Sequence, residues 1–157
     1  GPSAIRYPRG PIRGTPVKEQ RQLLEIGKAE VVADGADVAL IGLGTMFEMA
    51  ERTKEMLEAQ GLSVALINPR FIKPLDTKVL ETYARKCRVL CTFEDHVMLN
   101  GFGAAVIDHL HDAVIHTPIE RIAWPDEFIE HGKPDTLHEL HGLTAEVAVS
   151  KVLARLA

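Results

Sequence analysis

The stretch Val38-Ala39-Leu40-Ile41-Gly42-Leu43-Gly44-Thr45 constrains this chain more than any other. Apolar and small residues run without polar alternation into a Gly-x-Gly turn, and a helical pattern follows. A strand with no alternation is buried on both faces, which requires helices above and below a parallel sheet. The rest of the chain reads as repeats of that unit.

Lys28 to Val32 is a short strand, Asp34-Gly35 a hairpin-type turn and Val38 to Gly42 the next strand, so these two are expected to pair antiparallel. Thr45 with Glu48 has the form of a capping box, opening a helix whose apolar face is Met46, Met49, Ala50, Thr53, Met56 and Leu57 and which ends at Gly61. Val64 to Ile67 is a strand. Asn68-Pro69 and Lys73-Pro74 bracket a rigid loop, and Asp76 caps a helix to about Lys86 with Val79, Leu80 and Tyr83 on its buried side. Val89 to Phe93 is a strand, Gly101-Phe102-Gly103 opens a helix to about His111, and Ile119 to Ala123 is the last strand. After an irregular stretch, Thr144 caps a terminal helix with the stripe Ala145, Val149, Val152, Leu153 and Leu156. Strands alternating with helices imply right-handed crossovers. The expected fold is therefore α/β, a three-layer sandwich around a five-stranded, mostly parallel sheet with one antiparallel strand.

With 157 residues, 46% of them apolar and 25% charged, one globular domain is expected. No run of 18 apolar residues and no basic-then-apolar leader is present, so no membrane span is read. Cys87 and Cys91 lack the spacing of a redox or zinc motif and read as reduced, structural thiols of a cytoplasmic protein. The chain opens Gly1-Pro2 without a methionine, as a piece cut from a longer protein would. Its net charge of −4 is uneven, because residues 1–22 carry five cations (Arg6, Arg9, Arg13, Lys18, Arg21) against Glu19. The acidic remainder argues against nucleic-acid binding, while the basic head suits one small anion. Ser3 to Tyr7 reads as the end of a strand, and the Pro- and Gly-rich run to Gln22 as a linker. Residues 1–22 are thus expected to close a preceding domain, and 23–157 to form the domain proper.

Ligands of open α/β sheets collect at the carboxyl ends of the strands, where helix N-termini present free N–H groups. Gly42-Leu43-Gly44 is half of a dinucleotide fingerprint, but Phe47 stands where its third glycine belongs and Asn68 ends the next strand without a carboxylate. A plain tight turn is the expectation. Glu94-Asp95-His96 places two carboxylates beside an imidazole, an acid/base grouping in principle. Neighbours on an extended segment diverge, however, and a loop that caps the next helix and touches a neighbouring surface is favoured. His138 and His141 stand three apart with no third ligand, which disfavours zinc. Arg6 and Arg9, at the end of a strand in a proline-stiffened turn, can present a planar fork to a phosphate or carboxylate; a salt bridge to the acidic body is the competing use.

Four motifs carry a specific resemblance: Gly1 through Arg6-Tyr7-Pro8-Arg9-Gly10, Arg70-Phe71-Ile72-Lys73-Pro74-Leu75-Asp76, Glu94-Asp95-His96 through Gly101-Phe102-Gly103, and Pro125-Asp126-Glu127-Phe128-Ile129-Glu130-His131-Gly132. In this order they resemble the C-terminal portion of the 1-deoxy-D-xylulose-5-phosphate synthases. The Lys-Pro-Leu-Asp element is shared with transketolases and with 2-oxoacid dehydrogenase β subunits, whereas the first and last motifs narrow the likeness to the synthases. The resemblance implies a three-domain homodimer that uses thiamin diphosphate and magnesium to decarboxylate pyruvate and join its two-carbon unit to glyceraldehyde 3-phosphate. Cofactor and metal would be bound by the other domains, so this piece alone would be inert. By motif position Arg6 would grip the phosphate of the acceptor, with Arg9 in support. Glu94, Asp95 and His96 would serve an interdomain or dimer contact, beside the preceding domains of the same chain. Asn100, where the family pattern suggests glycine, and Trp124, where it suggests a smaller residue, depart from the likeness. A transketolase or dehydrogenase tail, or a stand-alone docking module, is the alternative.

Overall fold

All five residues of β2 (Val38–Gly42) are buried, and the sheet is built outward from them. In the computed structural model, which describes residues 1–5, 7 and 23–157, β2 lies parallel to β3 (Val64–Asn68) on one side and to β4 (Val89–Val97) on the other. The parallel strand β5 (Ile119–Trp124) flanks β4. The antiparallel strand β1 (Glu30–Ala33) closes the opposite edge, giving the order β1-β3-β2-β4-β5. Four parallel strands and one antiparallel strand match the expected sheet.

The pleat sorts alternate residues to two cores. Val38, Leu40, Cys91, Phe93 and Ile122 face α1 (Phe47–Glu58) and α5 (Ala145–Leu156). Ala39, Ile41, Ala65, Ile67 and Leu90 face α2 (Thr77–Lys86) and α3 (Phe102–Asp112). Two layers of helix around a sheet follow from strands that are apolar on both sides.

The antiparallel pairing differs from the expected hairpin. β1 does not touch β2: Glu30 stands opposite Asn68 and Val31 opposite Ile67, so its partner is β3. Three contacts hold the Asp34-Gly35 turn away from a hairpin. The Asp34 carboxylate accepts from the Tyr83 hydroxyl at 2.8 Å and from Lys86 Nζ at 2.5 Å, both on α2. The Asp37 N–H donates to the Ser63 carbonyl at 2.8 Å. A Cβ on Gly35 would collide with the backbone of Val64 and Ala65, so glycine lets the chain pass close to the start of β3 on its way to β2. The Lys86 ammonium, first, then the Tyr83 hydroxyl keep Asp34 below the usual carboxylate range. Burial, with the Asp34 bond second, raises Tyr83 to about 12.

The capping box at Thr45 is also absent. A 3-10 turn, Gly44–Met46, precedes α1, neither capping residue, Leu43 or Met46, bonds the helix start through its side chain, and Glu48 reaches Arg52 one turn on at 3.3 Å. Met46 is buried and Thr45 exposed, so packing of the methionine turns the hydroxyl outward. At α2 the expected cap is present, with Asp76 accepting from the Val79 N–H at 3.3 Å and also from the Ala29 N–H at 3.1 Å, which ties the segment before β1 to the helix. Thr144 caps α5 as expected, accepting from the Val147 N–H. A short helix, α4 (Pro134–Leu140), stands inside the stretch read as irregular. It buries no residue of its own, so it leaves no apolar stripe in the sequence.

Candidate functional site

The chain leaves β2 for α1 on one face and β4 for α3 on the other, and these strands are neighbours. The space between their carboxyl ends is the switch point at which open α/β sheets take ligands. A groove of about 830 Å³ lies there, lined by Leu43, Thr45, Ile72, Lys73, Phe102 and Ala105, with Tyr7 at its margin and the Glu94–His96 stretch along one wall.

Glu94, Asp95 and His96 are strand residues, not a loop as the sequence suggested, because β4 continues to Val97 with a shift of register against β5. Strand alternation then turns Asp95 away from Glu94. Glu94 points inward and is 1% exposed. Its carboxylate accepts from the Phe102 N–H at 2.5 Å through Oε2 and from the Gly103 N–H at 2.8 Å through Oε1, so it caps α3 as anticipated. Asp95 points outward and accepts from Trp124 Nε1 at 2.7 Å. His96 is exposed, with Nδ1 3.0 Å from the Val97 carbonyl. An acid/base cluster does not form.

Glycine is required at both ends of the Gly101-Phe102-Gly103 motif, at Gly101 by Glu94 and at Gly103 by Thr92, Arg121 and Glu94 together. A Cβ on Gly101 would collide with Oε2, and one on Gly103 would stand 2.6 Å from Thr92 Oγ1 and 3.0 Å from Glu94 Oε1. Asn100 takes a φ of 56°, the left-handed conformation expected of it in place of glycine.

Trp124 links this wall to α4. The His138 ring lies 5.2 Å from it and the His141 ring 5.5 Å, edge-on, while His141 Nδ1 is 3.4 Å from Glu127 Oε1. The two histidines thus hold a helix on an indole rather than a metal. Among the described residues, no three or more His, Cys, Asp and Glu gather where a metal ion could be held. Burial raises the Cys87 thiol to about 11 and pushes Cys91 up as well; both are free thiols away from the groove, Cys87 at the end of α2 before β4 and Cys91 inside the strand. Arg6 and Arg9 lie outside the described residues. Tyr7, Leu43, Ile72 and Phe102 all stand in motifs that the sequence singles out, but that they line one groove with Lys73 is visible only in the fold.

The chain belongs to the transketolase C-terminal domain family, whose model matches residues 27–147. A solved structure titled as a split gene transketolase, an inactive β4 tetramer, superposes with a TM-score of 0.79 at 32% identity, over 85% of this chain and 43% of that one. The curated relatives include proteins named 1-deoxy-D-xylulose-5-phosphate synthase from Acidobacterium capsulatum, 50% identical over 97% of this chain, and from Methylacidiphilum infernorum, 47% identical over 98%. The likeness read from the four motifs is thereby borne out. The chain spans about a quarter of the length of these relatives, 24% in both cases.

Proposed function

We propose that this chain is the C-terminal domain of a 1-deoxy-D-xylulose-5-phosphate synthase, a cytoplasmic homodimer that joins the two-carbon unit of pyruvate, with loss of carbon dioxide, to glyceraldehyde 3-phosphate. The observation that carries the reading is 50% identity sustained through 97% of the chain to a protein of that name. Residues 1–22 end the preceding pyrimidine-binding domain and its linker, and residues 23–157 form the domain itself. The described residues do not fit the cofactor's diphosphate or its magnesium ion. They gather no acidic metal cluster, and the α3 N-terminus at the switch point is filled by Glu94. Thiamin diphosphate and magnesium therefore belong to other domains in this reading, and the domain alone is inert.

Arg6, with Arg9 beside it in the motif, holds the phosphate of the acceptor. Its neighbour in sequence, Tyr7, lines the switch-point groove, which supports a role for this turn at the same face. A phosphate distant from the reacting carbon contributes positioning and uniform binding more than barrier lowering. Asp95 and His96, both exposed, make the interdomain or dimer contact, and Glu94 fixes the strand behind them.

The test is a chimera in which this chain replaces the last quarter of the Acidobacterium capsulatum relative. It is expected to form 1-deoxyxylulose 5-phosphate from pyruvate and glyceraldehyde 3-phosphate; a soluble, folded chimera without that activity would overturn the reading. In the active chimera Arg6→Ala is expected to raise KM for the aldehyde roughly tenfold or more, with KM for pyruvate little changed. An unchanged aldehyde KM removes Arg6 from the site. A second reading, a separately encoded docking module, draws support from the split gene behind the structural relative. The genomic sequence upstream of Gly1 separates the two.

A further inference from the structure

The switch-point crevice of an open α/β sheet ordinarily offers an anion the free N–H groups of a helix N-terminus. Here α3 supplies them, and Phe102 N and Gly103 N converge on one point. That point is already taken by Glu94, which reaches it from the preceding strand, is 1% exposed and bonds both amides. Among the described residues no cation forms an ion pair with it: Arg121, whose Cδ flanks the same space, donates to the Met98 carbonyl at 2.9 Å, so the two amides at the helix start are its direct partners. Two further features show a seat built around an anion. A Cβ at 101 would intrude on the carboxylate, and one at 103 would crowd Thr92 Oγ1, Arg121 Cδ and Glu94 Oε1 together. Thr92 Oγ1, fully buried and without a hydrogen-bond partner, lies beside the same space, since it and Glu94 Oε1 both flank the position a Cβ on Gly103 would take.

We infer that Glu94 is a specificity-determining residue: its carboxylate is a built-in anion that closes the α3 N-terminus to phosphate and other small oxyanions. Without the carboxylate, the same amides and the Thr92 hydroxyl form a site for a small oxyanion such as formate or inorganic phosphate. The inference stands on the geometry of this chain alone and survives if the proposed activity fails. If that activity holds, it deepens it, because the acceptor's phosphate is then kept off the α3 amides and left to Arg6.

The test compares the 157-residue chain with its Glu94→Ala and Glu94→Gln variants, using formate, inorganic phosphate and chloride at equal ionic strength. In the parent chain the amide resonances of Phe102 and Gly103 are expected to ignore all three anions, and Tm to respond to them alike. Glu94→Ala is expected to melt lower, and formate to raise its Tm saturably by about 3–5 °C at roughly ten times the dissociation constant, with chloride ineffective. The same two amides should shift as formate binds. Glu94→Gln, which keeps the shape and fills the seat, should bind no formate. Phosphate-induced shifts of Phe102 and Gly103 in the parent chain overturn the proposal even if Glu94→Ala fails to fold. So does a folded Glu94→Ala variant that responds equally to formate and chloride.

Discussion

At the β2–α1 turn the chain enters its helix through a 3-10 turn whose capping residues, Leu43 and Met46, bond no amide through their side chains, whereas at the β4–α3 turn two amides donate to one buried carboxylate. Both turns are rich in glycine, but for unlike reasons. Gly44 needs its φ of +58° and has open space where a Cβ would stand. Gly101 has a negative φ of −85° and needs the space itself. Gly42 resembles Gly101, since a Cβ there would lie 2.8 Å from Phe47 Cα. A glycine pattern read from sequence therefore does not say whether conformation or volume is being spared, and the two cases respond differently to the same substitution.

Alanine at the two glycines separates the two cases most. Gly101→Ala is expected to cost about 3 kcal/mol by urea unfolding because Glu94 and the Val97 carbonyl cannot withdraw. Gly44→Ala should cost only about 1 kcal/mol, the strain of a left-handed alanine. Equal losses would show that the Glu94 seat is soft. Next in size, Glu94→Gln should lose about 2 kcal/mol, since a neutral amide cannot accept from both N–H groups equally well and gives up a charge-assisted bond. Its counterpart, Thr45→Ala, should stay within about 0.5 kcal/mol, because that side chain caps nothing. Asp76→Ala sharpens the contrast from a third helix start. With two amides released it should cost about 1–2 kcal/mol, and protection of the Ala29 amide from hydrogen exchange should fall with it.

The last effect vanishes at neutral pH. Cys87 has a folded-state pKa raised from 9.0 to about 11 by burial. Its stabilising share is complete below the unfolded value and is lost as pH rises from there toward the folded one, because the unfolded chain ionises first. Urea midpoints should therefore decline between about pH 9 and pH 11, and less steeply in Cys87→Ala. A decline that ignores this substitution would assign the alkaline loss to Tyr83 and Cys91 instead.

The sheet was legible because its strands are apolar on both faces, a signal that survives without any partner in view. The caps at Asp76 and Thr144 were legible for the same local reason: donor and acceptor lie three residues apart. What failed depended on distant residues. The Asp34-Gly35 turn has hairpin chemistry, yet contacts to Tyr83, Lys86 and Ser63 redirect it. Thr45 and Glu48 have the spacing of a capping box, but burial of Met46 decides how the helix begins. The Glu94 cap was anticipated, while its burial, its bidentate geometry and the Asp95–Trp124 bond were not, because they depend on β4 running on to Val97. α4 was invisible since it rests on Trp124 through two imidazoles, with no periodic stripe.

The pairing of β1 with β3 also sets an order of events during synthesis. Within this domain β1 is made before β2 but has no partner in it, and must wait until Val64–Asn68 has been made and laid beside β2. Sheet growth then proceeds from the centre outward, with the amino-terminal edge joined after the parallel strands it covers. Such a late, non-local closure slows folding and makes the edge the first part to reopen. The amides of Val31 and Ala33 should accordingly exchange with solvent ahead of those of Leu40 and Ile41.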